Sequence, residues 1–136
     1  MNLTTFTDGL RRLSAEDIRR CAAGLDAEEM SVADAMVEWR AELAIDRLLR
    51  RQCSRAENQR ATAASHSAAR CVLDAARRTG IELPDTGVTR VARTAGQIAR
   101  GLALNGLAGS GRYAQVLLGR WEAALGIRSP LALTAA

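Results

Sequence analysis

Apolar residues recur every three or four positions along most of this chain, which is the spacing of one face of an α-helix. The apolar face of segment 55–79 consists almost entirely of small residues: Ala61, Ala64, Ala68, Val72 and Ala75. In segment 87–104 the regularly spaced positions are Val88, Val91, Ala92, Ala95, Ile98, Ala99 and Leu102. The apolar face of segment 111–125 is bulkier and includes Ala114, Leu117, Leu118, Trp121 and Leu125. Each segment is therefore predicted to form an amphipathic helix.

The segment 31–51 contains neither Gly nor Pro, and its apolar residues fall into two sectors of a helix. One sector consists of Val32, Met36, Trp39 and Leu43, and the other of Val37, Ala41, Ala44 and Leu48. A helix that is apolar on so much of its circumference contacts more than one neighbour. We therefore expect a central helix here.

Capping residues predict where these helices begin and end. Ser14 and Asp17 approximate a capping box, so a short helix is expected over 14–23, with Gly24 as its C-terminal stop. Ser54 and Glu57 form a complete S-x-x-E capping box. It favours a break near residue 53, although the pattern leaves one continuous helix from 31 to 79 open.

The sequence thus predicts an all-α protein with a single domain over residues 1–136. Residues 1–12 are interpreted as an N-terminal arm with a turn at Asp8-Gly9, and residues 127–136 as a C-terminal tail. The predicted fold is an antiparallel four-helix bundle, preceded by the short helix, with bundle helices at about 31–51, 55–79, 87–104 and 111–125.

Composition agrees with this prediction. The chain contains 27 Ala, 17 Leu and 19 Arg, whereas Val and Ile together number only eleven. Ala, Leu and Arg are strong helix formers, so an all-β domain is excluded. Lys is absent, which a GC-rich genome explains most simply because Arg codons are GC-rich and Lys codons AT-rich. Selection for phosphate binding by Arg is the alternative, but 15 carboxylates nearly balance the arginines.

The sequence further predicts a cytoplasmic protein. Its first residues lack the apolar run of a secretory signal, and no stretch is long and apolar enough to span a membrane. The three cysteines, Cys21, Cys53 and Cys71, show no C-x-x-C spacing. We therefore expect reduced thiols and no zinc site.

The most ordered polar feature is a stripe of acids at four-residue spacing, consisting of Asp34, Glu38, Glu42 and Asp46. Like charges at this spacing destabilise a helix unless they have partners. Arg90, Arg93 and Arg100 form a matching row in segment 87–104. In the bundle the two rows fall at the same height, so we expect ion pairs between them, within the chain or across a dimer.

The alternative for the acid stripe is a metal site. Di-metal helical bundles require Glu-x-x-His motifs, but the chain has one histidine, His66, preceded three positions earlier by Ala63. We therefore expect neither a metal nor another cofactor. A ligand pocket formed by Trp39, Arg40 and His66, which share a height in the bundle, is a second alternative. No arrangement of Ser65 and Ser67 about His66 predicts nucleophilic catalysis.

The run Trp39-Arg40-Ala41-Glu42-Leu43-Ala44-Ile45-Asp46 resembles uncharacterised small all-helical proteins of GC-rich bacteria, over residues 31–104. Those proteins have no assigned activity, so the resemblance implies a helical fold and no catalytic residue.

We expect a non-catalytic interaction or assembly module that self-associates as a homodimer, with an unknown protein partner and no membrane contact. One alternative is a nucleic-acid-associated protein that acts through Arg90, Arg93 and Arg100 and through Arg11-Arg12 and Arg19-Arg20. The other is an enzyme, or a ligand- or metal-binding bundle, that uses Trp39, His66 and the acid stripe.

The predicted pairing of acids and arginines is testable by charge reversal. Glu38→Arg should lower the free energy of unfolding, and adding Arg100→Glu should restore part of the loss because the pair is re-formed with opposite polarity. Urea denaturation of the two single variants and the double variant measures the coupling. Additive effects would exclude the pairing.

Overall fold

The computed structural model describes residues 2–26, 54–104 and 112–126, together with single helical positions at 40, 41, 44 and 47. Most of the predicted helix 31–51 and all of the tail 127–136 lie outside these residues. The described chain is all-α and contains no strand. Its five helices are α1 (Leu3–Arg11), α2 (Ala15–Asp26), α3 (Arg55–Arg78), α4 (Thr86–Ala103) and α5 (Arg112–Leu125).

Side-chain caps begin the helices where the sequence predicts them. The Ser14 amide donates to Asp17 Oδ2 at 3.0 Å, and the Asp17 amide donates back to Ser14 Oγ at 3.1 Å, which confirms the capping box. Ser54 has an extended backbone, and its Oγ accepts from the Glu57 amide at 3.1 Å. Because Ser54 is extended, α3 starts at Arg55, and the alternative of one uninterrupted helix from 31 to 79 is wrong.

Glycines in the left-handed backbone region end two of the helices. Gly80 has φ of 88°, its amide donates to the Arg77 carbonyl at 3.2 Å, and the Ile81 amide donates to the Ala76 carbonyl at 2.8 Å. This is the predicted Schellman arrangement at the end of α3. Gly126 has φ of 73° directly after α5. The loop between α3 and α4 contains a cis Leu83–Pro84 bond, and Asp85 caps α4 by accepting from the Val88 amide at 3.0 Å.

The structure corrects the interpretation of residues 1–12 as an arm. Residues Leu3–Arg11 form α1, capped by Asn2, whose side chain accepts from the Thr5 amide at 2.8 Å. Phe6 and Leu10 lie one turn apart on its inner face, and both are buried. The predicted turn at Asp8-Gly9 is wrong, because burial of this apolar face outweighs the helix-breaking tendency of one glycine.

Gly24 does not end the first predicted helix, since α2 continues to Asp26. A Cβ atom on Gly24 would lie 2.9 Å from the Cβ of Ala124 in α5. The glycine therefore allows the two helices to approach closely. From the sequence alone Gly24 looks like a helix stop, because the residue that approaches it, Ala124, is a hundred positions further along the chain.

The closest helix contact joins α3 and α4, which are antiparallel neighbours. Both helices present small residues to each other, including Ala61 and Ala68 on α3 and Ala95 and Ala99 on α4, all of them buried. A Cβ on Gly96 would lie 2.9 Å from Ser65 Oγ and 3.1 Å from the Ser65 carbonyl oxygen. Only a hydrogen atom fits at this position, so Gly96 sets the separation of the two helices.

Helix α4 is at the centre of the described structure, in contact with α3, α5, α2 and α1. Its residues Val88, Val91, Ala95 and Ile98 are buried in a single core to which all five helices contribute. Arg78, at the end of α3, contacts the turn between α1 and α2. Its guanidinium donates to the Leu13 carbonyl at 3.2 Å. The helical class is thus confirmed, with α1 as an additional helix in the core.

The α3–α4 contact predicts opposite effects for two glycine substitutions. Gly96→Ala should lower the free energy of unfolding by about 1–3 kcal/mol, because the added methyl group collides with Ser65. Gly119→Ala, in the middle of α5, meets no atom within 4 Å. It should raise stability by roughly 0.5–1 kcal/mol through helix propensity alone.

Urea denaturation followed by far-ultraviolet circular dichroism measures both values. Equal stabilisation by the two alanines would contradict the close approach at Gly96.

Candidate functional site

The structure describes the arginines of the predicted ion pairs but not the acids. Asp34, Glu38, Glu42 and Asp46 lie outside the described residues. On α4, Arg90 and Arg93 are exposed and Arg100 is half-buried. Arg90 and Arg100 each take part in an interaction. The pairing between the acids and these arginines stays a prediction.

The predicted pocket of Trp39, Arg40 and His66 stays a prediction. Trp39 lies outside the described residues, and both Arg40 and His66 are exposed helical residues. Neither Arg40 nor His66 lines the cavity at α1, α2 and α5 described below. In the described part of the chain, no three His, Cys, Asp or Glu side chains lie close enough together to hold a metal ion.

Arginines give the α3–α4 hairpin a strongly positive surface. The two helices carry eight arginines and two carboxylates, a net charge of +6 in a chain whose total is +4. Seven of these arginines are exposed: Arg55, Arg60, Arg70, Arg77, Arg78, Arg90 and Arg93. Within α3, Arg77 lies 3.8 Å from Asp74. This hairpin is where an anionic partner would be attracted.

The N-terminal arginines are partly engaged in ion pairs. Arg11 lies 3.5 Å from Asp8, and Arg20 lies 2.6 Å from Glu16, in both cases on the same helix. Exposed pairs of this kind contribute little to stability, but they lower the local positive charge. None of the described helices is long and apolar enough to cross a membrane.

Two exposed alanines at helical positions, Ala41 and Ala44, form a small surface that we call the Ala41–Ala44 strip. Ala41 and Ala44, members of the second apolar sector, are exposed, and so are Arg40 and Arg47 on either side of them. In α1 to α5, large hydrophobic side chains are buried or half-buried wherever their exposure is described, apart from Val116, which is 48% exposed. The Ala41–Ala44 strip is therefore a surface of small side chains, in contrast to the mostly buried large hydrophobic side chains described in α1 to α5.

A cavity of about 290 Å³ lies between α1, the start of α2 and α5. Its apolar lining includes Phe6 and Leu10 from α1, Leu13 from the following turn, and Trp121 from α5. The rings of Phe6 and Trp121 meet edge to face, with centroids 5.8 Å apart at 67°. This favourable aromatic geometry holds α1 on α5 and leaves an open space beside the rings.

Three charged side chains line the same cavity, namely Arg12, Asp17 and Glu122. Glu122 is 8% exposed, yet no ion pair within the described part of the chain includes it. Arg12 is exposed at the C-terminal end of α1. One Asp17 oxygen is engaged in the capping box with Ser14. The cavity therefore combines aromatic and aliphatic surface with a net charge of −1.

Cys21 lies in the core beside this site. It is 1% exposed, and burial, aided by the negative charge of Asp17, raises the pKa of its thiol from 9.0 to about 12. The reactive form of cysteine is the thiolate, so Cys21 is a small buried hydrophobe at neutral pH. Cys71 is a half-buried free thiol.

Sequence reasoning missed Glu122 as a site residue, although a signal is present. Glu122 follows Trp121 and lies four positions after Leu118 and three before Leu125, at the edge of the apolar face of α5. An acid in that position is half inside the predicted core. Its burial depends on α1 and α2 covering this edge, and α1 was interpreted as an arm.

Comparison of the chain with protein-family models, with curated proteins and with solved structures gave no match.

The raised pKa of Cys21 predicts a loss of stability in alkali. Between pH 9.0 and about 12 the unfolded thiol releases its proton while the folded thiol retains it, so the unfolded state is favoured as pH rises. The free energy of unfolding should fall by about 1.4 kcal/mol per pH unit from this group. Cys21→Ala should remove that contribution and flatten the dependence between pH 9 and 11.

Ile18→Val provides the matched control, because it removes buried volume on the same helix without removing a titrating group. Its stability should run parallel to wild type across this pH range in chemical denaturation. A wild-type curve parallel to that of Cys21→Ala would contradict the assignment.

Proposed function

We propose that this chain is a non-catalytic helical interaction module that acts in the cytoplasm and self-associates as a homodimer. The observation that carries the proposal is the exposed pair Ala41 and Ala44. By sequence spacing they share a sector with Val37 and Leu48. Small residues on a helix surface permit the close approach of a second helix, as they do between α3 and α4.

The surface of the described helices supports this choice. Among the residues of α1 to α5 whose exposure the structure describes, Val116 is the one large hydrophobic that is exposed, so these residues present little apolar area to a partner. The described His and Cys side chains differ in their surroundings. His66 is exposed on α3, whereas Cys21 is buried on α2.

The positive α3–α4 hairpin favours a second candidate function, binding of phosphate groups on nucleic acid. It is the weaker candidate because several of its arginines are already engaged. Arg77 is close to Asp74, and Arg90 and Arg100 each have an interaction partner. Self-association therefore ranks first.

Ala44→Glu tests self-association without a cost in helix stability. The new carboxylate would lie four residues after Arg40 and three before Arg47, where ion pairs stabilise a helix by a few tenths of a kcal/mol, about 0.2–0.5 per pair. In a dimer it would place a charge in the contact. We expect the wild type to have twice the 14.5 kDa mass of one chain, and Ala44→Glu to dissociate at least about tenfold more readily.

Ala63→Glu is the control, because Ala63 is an exposed helical alanine with Arg60 three residues before it. Light scattering during size-exclusion chromatography over a concentration series should show wild-type behaviour for this variant. A wild type that stays monomeric at high concentration, or an Ala44→Glu variant as dimeric as wild type, would refute the proposal.

A further inference from the structure

The carboxylate of Glu122 lines the cavity between α1, α2 and α5 without a cationic partner among the described residues. We propose that this cavity binds a small organic cation with an apolar body, whose ammonium group pairs with Glu122. This binding site is separate from the Ala41–Ala44 strip and does not depend on self-association.

The charge of the cavity selects for a cation. A carboxylate in the wall of a cavity interacts favourably with a positive group that replaces part of its water. Glu122 is 8% exposed as a residue, and none of the fully buried side-chain oxygens in the described part of the chain lacks a hydrogen-bond partner, so its carboxylate is in contact with the solvent of the cavity and accessible to a ligand. A ligand ammonium group would supply a charge-assisted hydrogen bond, which is roughly twice as strong as a neutral one.

The rest of the cavity lining is mostly apolar and would contact the apolar body of the ligand. Phe6, Leu10, Leu13 and Trp121 form a continuous apolar wall beside Glu122. An indole ring also attracts a cation held over its face. A cavity of about 290 Å³ is at the lower end of the range for small-molecule sites. It suits a ligand with one ring and a short amine chain.

The two other charged side chains that line the cavity are Asp17 and Arg12. Asp17 adds a second carboxylate, although one of its oxygens is engaged with the Ser14 amide. Arg12 is exposed at the end of α1, where water screens its charge. An organic anion would meet two carboxylates and a single solvated guanidinium. The site therefore prefers a cation over an anion of the same shape.

Three probes of nearly the same size and shape separate charge from hydrophobicity: 2-phenylethylamine, 2-phenylethanol and phenylacetate. Binding to the full chain is measured by two-dimensional ¹H–¹⁵N NMR titration at neutral pH. Trp39→Phe assigns the indole signal of Trp121, since the chain has two tryptophans. We expect the amine to shift this signal in a saturable manner, to bind at least about tenfold more tightly than the alcohol, and the anion not to bind.

Glu122→Gln tests the assigned partner, because it removes the charge and retains the shape. It should weaken binding of 2-phenylethylamine by about tenfold and leave binding of 2-phenylethanol unchanged. Glu16→Gln is the matched control, since Glu16 is an exposed acid on α2 that does not line the cavity. It should bind the amine as the wild type does.

Three results would overturn the proposal: no saturable shift with the amine, equal affinity for amine and alcohol, or unchanged amine affinity in Glu122→Gln. Circular dichroism establishes whether Glu122→Gln is folded. If that variant does not fold, the comparison of the three probes on the wild type decides the matter by itself.

Discussion

The close approach of α3 and α4 is the constraint on which the rest of the structure depends. At Gly96 the backbone of α4 lies so near Ser65 that a methyl group does not fit. Alanines along both helices extend this contact over several turns. Since small side chains bury little area each, the hairpin gains its stability from the many atoms that the short separation brings together. It then serves as the surface on which α1, α2 and α5 pack.

Large side chains have a different role where α1 meets α5. Phe6, Leu10 and Trp121 join α1 to α5, and the edge-to-face arrangement of the two rings leaves a space between the helices. The molecule thus combines a tightly packed half, which fixes the backbone, with a half that has room beside an acidic side chain. The proposed ligand site belongs to the second half.

Most of the fold could be predicted from the sequence, whereas the cavity could not. The apolar faces of α3, α4 and α5, the capping boxes at Ser14 and Ser54 and the glycine stop at Gly80 were all predicted, and the structure confirms them. Glu122 was not recognised, because an acid beside an apolar face is ambiguous until its neighbours are known. The predicted row of arginines is on α4, with Arg90 and Arg93 exposed and Arg100 half-buried, but the acids proposed as its partners lie outside the described residues.

The sequence by itself determined that the chain is helical and where most of its helices begin and end. Helix propensity, capping and periodicity depend on residues within about four positions of each other, so they can be predicted from the sequence. Only the tertiary structure decided that residues 3–11 join the core, that Gly24 is a packing position and that Glu122 lines a cavity. Each of these depends on residues brought together from distant parts of the chain. Ala124 covers Gly24, Phe6 meets Trp121, and the turn between α1 and α2 lies beside Glu122.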